Sequence, residues 1–152
     1  MILSIALADG DTQVAEMKDV SSEGPRLKIA IAHFGTVTTD GWLEQIKLAR
    51  NPNVMIDSGG RTRLFTSEFY PFKGAVEAIR TASDTVGAAK LMWGSDYPRT
   101  ITAITYRMSY DFVSKSDELT PEFKAAFLGD NAKGFYGFGE LKKLPYIKNM
   151  SE

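Results

Sequence analysis

The ten residues Lys90-Leu91-Met92-Trp93-Gly94-Ser95-Asp96-Tyr97-Pro98-Arg99 are an apolar run that stops abruptly in a small, polar turn and a proline. The run continues from Ala88 and Ala89 without polar alternation, the pattern of a strand covered on both faces. Gly94 and Ser95 end it, so a strand is predicted over residues 90–95. Asp96 then falls just past the carboxyl end of a parallel strand, the edge on which α/β folds place ligands and catalysis.

Working outward, the pattern of an apolar run followed by turn formers recurs three times upstream. Ile2, Leu3, Ile5, Ala6 and Leu7 form a first strand closed by Ala8-Asp9-Gly10-Asp11. Leu27 to His33 is a second, nearly unbroken in apolar content, with His33 at its carboxyl end. Residues 53–57 are a third, which leaves through Ser58-Gly59-Gly60-Arg61. Helical stripes separate them: Val14, Met17 and Val20 between an Asp11 cap and Gly24-Pro25, then Trp42, Leu43, Ile46 and Ala49 before Asn51-Pro52, then Phe72, Val76 and Ile79. Downstream, Ile101, Ile104, Met108 and Phe112 predict one helix after the fourth strand. Thr120 as N-cap, Pro121 at the first helical position, Glu122 in the first turn and Gly129 as C-cap predict another, with a short further turn from Asp130 through Phe135.

Four strand-helix units in succession argue for parallel strands joined by helical crossovers. Four are also half of a (β/α)₈ barrel, which typically takes about 250 residues. A chain of 152 residues is too short to close one. Residues 1–137 are expected to form this α/β half-barrel domain, and residues 138–152, with Lys142, Lys143, Pro145 and Lys148, a loosely held carboxyl-terminal tail.

Composition narrows the class of function. Hydrophobic residues at 43% and charged residues at 24% are the mixture of an ordinary globular domain. Eighteen basic against nineteen acidic residues give a net charge of -1, so no overall field favours nucleic acid or an anionic membrane. Without cysteine there is no disulfide and no thiolate metal site. Met1 to Leu7 lacks a basic flank and is too short for a signal core or a membrane span, which predicts a cytoplasmic protein.

Taken alone, the chemistry-bearing residues keep two readings each. Asp96 is a turn former or helix cap, or a site carboxylate. His33, the single histidine, is a hydrogen-bonded strand-end residue or a proton shuttle. Ser58-Gly59-Gly60-Arg61 is a flexible turn or an anion cradle. Phe65, Phe69, Tyr70 and Phe72 divide between core and a loop over a pocket. Arg99 is a carboxylate clamp or, more simply, a solvated arginine, and Trp93 reads as core packing within the fourth strand.

Five stretches, in order, resemble the amidohydrolase-related (amidohydrolase 2) family of metal-dependent hydrolases and decarboxylases: PRLKIAIAHFG from Pro25, NVMIDSG from Asn53, PFKGAVEAIRTA from Pro71, KLMWGSDYP from Lys90 and LGDNAKGFY from Leu128. The match looks like the carboxyl-terminal half of the TIM-like barrel of that family. The resemblance implies that Asp96 is a metal ligand. It also implies that His33 faces the same site as an acid/base or substrate-orienting group, so both are carried as catalytic and metal-site candidates, with a divalent metal, zinc, as cofactor. The turn here reads His33-Phe34-Gly35-Thr36, without the second glycine that many relatives carry. The family's His-x-His pair is absent, and Ala8-Asp9-Gly10 stands where a further histidine ligand is expected, leaving Asp9 as a third candidate donor.

These readings give a metal-dependent hydrolase acting on a small carboxylate, lactone or related compound, incomplete as this chain alone. The alternative is a non-catalytic fragment or assembly module that keeps the half-barrel fold without metal. A half-barrel leaves edge strands, here the first and the fourth, and an apolar inner face. A homo-oligomer or a complementing chain is therefore the expected partner.

Overall fold

The structure, a computed structural model, describes residues 1–7, 11–60 and 65–140. The strands are β1 (Ile2–Ile5), β2 (Lys28–Ile31), β3 (Val54–Asp57) and β4 (Leu91–Met92). They form one parallel sheet in the order β1-β2-β3-β4, with Ile2 opposite Lys28, Ile29 opposite Val54 and Ile56 opposite Leu91. Between and after them run α1 (Val14–Glu23), α2 (Trp42–Lys47), α3 (Lys73–Val86) and α4 (Tyr106–Ser114). Strands that follow one another in both sequence and space, each crossing over through a helix, make a singly wound α/β sheet.

The two faces of the sheet carry different cores. On one, Ile29, Ile31, Val54, Ile56 and Leu91 pack with Met17 of α1, Ile46 of α2, Val76 and Ile79 of α3 and Phe112 of α4. All but Met17, Val76 and Phe112 are fully buried, and each such side chain contributes about 1.5–3 kcal/mol of apolar burial. On the other face, Ala30, Met55 and Met92 form a separate cluster against Ala132, Phe135 and Tyr136. Those three come from the last helical segment, where α5 (Pro121–Ala125) continues through a π-helical turn (Ala126–Asp130) into α6 (Asn131–Tyr136). Lys28 fastens α6 there by donating from Nζ to the Phe135 carbonyl at 2.7 Å.

Three expectations change. The fourth strand is two residues rather than six, because residues 88–90 are a 3₁₀ turn and the Trp93 N–H turns away to the Phe127 carbonyl. Trp93 accordingly packs beyond the strand, edge-on against Tyr106 and Tyr110, with its indole N–H on the Ser109 carbonyl. The stripe from Ile101 to Phe112 splits into a 3₁₀ turn (Arg99–Thr102) and α4, because Thr105 caps a new helix by accepting the Met108 N–H at 3.1 Å. Gly129 does not end its helix: the π turn carries the chain past it, and the left-handed C-cap is Gly137 at φ 73°.

Of the two edges, β4 is closed. Asn131 Nδ2 donates to the Ala88 and Leu91 carbonyls at 2.9 and 2.8 Å, and Phe127 takes the Trp93 N–H. No strand pairs with the outer side of β1 among the described residues. No helix among them is long and apolar enough to cross a membrane.

Candidate functional site

The carboxyl ends of β2, β3 and β4 bring His33, Asp57 and Asp96 to one edge. The chain leaves β2 through four consecutive left-handed residues, His33, Phe34, Gly35 and Thr36, at φ 59°, 53°, 63° and 54°. Outside glycine this region is costly, about 1–2 kcal/mol per residue. It persists because the turn is held from within: Phe34 is fully buried and stacked on Trp42, and a Cβ on Gly35 would stand 2.9 Å from the Trp42 carbonyl. Thr36 occupies the place where glycine was expected from the resemblance, and its φ explains that expectation. Asp96 is also left-handed, at φ 54°, in a turn secured by the Thr100 N–H on its carbonyl at 3.1 Å.

Gly60, at φ 72°, is the floor between them. A Cβ there would lie 2.7 Å from Asp96 Oδ2 and 3.1 Å from His33 Nδ1. Ser58-Gly59-Gly60 is thus a buried wall of the site rather than a loose turn, while Arg61 and Asp9 lie outside the described residues. His33 Nδ1 sits 3.1 Å from the Gly59 carbonyl. A carbonyl only accepts, so Nδ1 carries the proton and neutral His33 keeps its lone pair on Nε2. Asp96 Oδ2 is fully buried and has no hydrogen-bond partner among the described residues.

Asp57 is the site residue that sequence reasoning passed over. Its Oδ1 accepts the Gly59 N–H at 2.7 Å. Burial pushes its carboxyl above the ordinary carboxylate range, against the Gly59 hydrogen bond and the nearby imidazole of His33, which pull it down, and with a smaller upward push from the Asp96 charge. The signal that could have found it is positional: an acid closing an apolar parallel strand on the edge shared with Asp96. Burial, and secondarily the Asp57 charge, raise the Tyr136 phenol, so α6 reaches the same neighbourhood.

The aromatic stretch takes another place. Phe72 is buried, Phe69 is 80% exposed, and Tyr70 with Pro71 lines a cleft of about 210 Å³ with Val76, Phe112 and Lys115, which contains no residue of the His33–Asp96 edge. Arg99 is exposed, as expected.

The sequence model described as Amidohydrolase matches residues 10–138. The chain belongs to the amidohydrolase family. No curated protein matches it at a significant level. Solved structures of similar fold include an amidohydrolase from Burkholderia multivorans with bound zinc, at 20% identity and a TM-score of 0.66, covering 90% of this chain and 53% of that one. A protein named for 2-pyrone-4,6-dicarboxylic acid hydrolase from Pseudomonas putida matches at 24% identity and a TM-score of 0.66, over 93% of this chain and 52% of its own. The 5-carboxyvanillate decarboxylase of Novosphingobium aromaticivorans, complexed with manganese, matches at 15% and 0.58, over 82% and 37%. This amidohydrolase chain therefore spans about half the length of the first two.

A divalent metal is what the family implies at this edge. On this edge the described residues offer the buried Asp96 Oδ2 and, in the Nδ1–H tautomer, one nitrogen lone pair of His33. Among the described residues, no three His, Cys, Asp or Glu side chains are grouped to hold a metal ion. A catalytic zinc takes about three protein ligands. The described residues alone do not fit the metal.

Proposed function

We propose that this chain carries one wall of an amidohydrolase-type site, formed by the carboxyl-terminal half of a (β/α)₈ barrel over residues 1–137; of the expected tail at 138–152, residues 141–152 lie outside the described residues. Its class of reaction is hydrolysis, or the related decarboxylation, of a small carboxylate or lactone. Asp96 is the metal-ligand position, and His33 Nε2 is a second donor or the group that moves protons. The remaining donors come from outside the described residues, through a complementing chain or a second copy. The observation that carries this reading is the buried Asp96 Oδ2, without a hydrogen-bond partner among the described residues, beside the His33 ring over Gly60, on the edge where parallel α/β sheets place their chemistry. A buried acceptor left so costs about 1–3 kcal/mol, and more when charged, which a ligand position tolerates and a mere turn former avoids.

Zinc titration by calorimetry tests it. The wild-type chain is expected to bind weakly, and Asp96→Ala and His33→Ala each to weaken binding at least tenfold. Equal affinity in all three would remove the metal from this edge. A second reading, a non-catalytic assembly module, is favoured by α6 lying across the inner face and by the closed β4 edge. Its expected result is a stable, metal-free fold with no response to zinc in any variant.

A further inference from the structure

Asp57 and His33 are joined through one glycine. Asp57 Oδ1 accepts the Gly59 N–H at 2.7 Å, and the Gly59 carbonyl accepts the His33 Nδ1–H at 3.1 Å. The first bond is an Asx turn, in which the side chain reaches the backbone two residues on. The turn is anchored at its middle as well: the Ser58 N–H donates to the Met92 carbonyl at 2.9 Å, and Ser58 Oγ accepts the Gly94 N–H at 3.2 Å. Two glycines make room for the arrangement. A Cβ on Gly94 would run into Asp57 Oδ1, and one on Gly60 would crowd His33 Nδ1. A partly buried carboxyl at a strand end, filling space that only glycine leaves open and accepting the Gly59 N–H, serves the loop that it holds.

We propose that Asp57 is a positioning residue that acts through Gly59 to hold His33 in the Nδ1–H tautomer, leaving Nε2 as the basic atom. Its value for catalysis rests on the reading of His33 as the proton-moving group, whereas the bonds themselves do not. Nor does the arrangement depend on the charge of Asp57, because a protonated carboxyl keeps a carbonyl oxygen that accepts the Gly59 N–H.

His33 is the single histidine of the 152 residues, so its ring signals are unique in a ¹⁵N-labelled sample. Long-range ¹H–¹⁵N correlation at about pH 8.5, where an ordinary imidazole is neutral, reads the tautomer directly without metal or substrate. Wild type is expected to show the Nδ1–H form in excess. Asp57→Asn, whose amide oxygen still accepts from Gly59, is expected to keep it. Asp57→Ala, folded by circular dichroism, is expected to lower the Nδ1–H to Nε2–H ratio about fivefold, the ratio that one hydrogen bond of ordinary net strength sustains. If the alanine variant does not fold, Asp57→Val removes the same acceptor while filling the site with an apolar, strand-favouring side chain. An Nε2–H wild type, loss of the signature in Asp57→Asn, or its persistence in the folded alanine or valine variant overturns the proposal. Should the tautomer behave as expected while zinc affinity ignores Asp96→Ala and His33→Ala alike, the positioning stands and the functional reading falls.

Discussion

At the scale of single residues, the edge concentrates unfavourable choices: left-handed His33, Phe34, Thr36 and Asp96, an Asp96 Oδ2 unpartnered among the described residues, and a partly buried, desolvated Asp57. Strain and buried charge cluster where function over-determines the structure. Asp57 gives this a sign. Its folded pKa lies above the unfolded one, chiefly through burial, so the neutral acid is preferred in the folded state. Stability is fully present below the ordinary carboxylate pKa and is lost as pH rises through the raised value. Asp57→Asn is therefore expected to change Tm little near pH 4 and to raise it by a few degrees, about 2–4 °C per kcal/mol for a domain of this size, at pH 8. A Tm gap that shrinks with rising pH would contradict the assignment. That His33 and Asp96 share one edge was legible from the strand ends, and their candidacy as site residues came from the resemblance. Asp57 was not, since one acid ending an apolar run looks like any turn former until neighbouring strands place it.

Elements were legible where a local signal sufficed. Thr120 and Pro121 open α5 as read, with Thr120 Oγ1 accepting the Phe123 N–H at 3.2 Å, and all four strands lie within their predicted runs. Boundaries failed where tertiary bonds override local preference. Gly129 resembles a C-cap, yet the π turn keeps the helix going and sets Asn131 against β4, where its two donors meet the Ala88 and Leu91 carbonyls. No periodicity in the sequence encodes that pairing between residues 40 or more apart. Replacing Asn131 tests its weight. Asn131→Ala leaves two carbonyls without these donors and is expected to cost about 1–3 kcal/mol. Asn131→Asp sets acceptor against acceptor and costs more, so thermal melts should rank wild type above alanine above aspartate. An aspartate variant as stable as wild type would mean that the edge is held by the Phe127–Trp93 bond alone.

For the whole molecule, a half-barrel read from the sequence has two edge strands and an apolar inner face, and the structure redistributes that exposure. α6 covers Ala30, Met55 and Met92, and Asn131 with Phe127 occupies β4. The exposure that remains is on β1, where the outer side has no strand partner among the described residues and Ile2 is 39% exposed. An unpaired parallel edge with apolar side chains recruits another chain, and an edge lysine opposes it. Association is thus expected to depend on β1 and on how firmly α6 stays down. In light scattering at micromolar concentration, Ile2→Lys is expected to shift the chain toward monomer. Phe135→Ala, which uncovers the methionines of β3 and β4, is expected to shift it toward larger species. The two effects should be additive in the double variant, since one acts on an edge and the other on a face. A wild-type chain already monodisperse as a monomer, or an Ile2→Lys variant with an unchanged mass distribution, would mean that β1 is not where a second chain attaches.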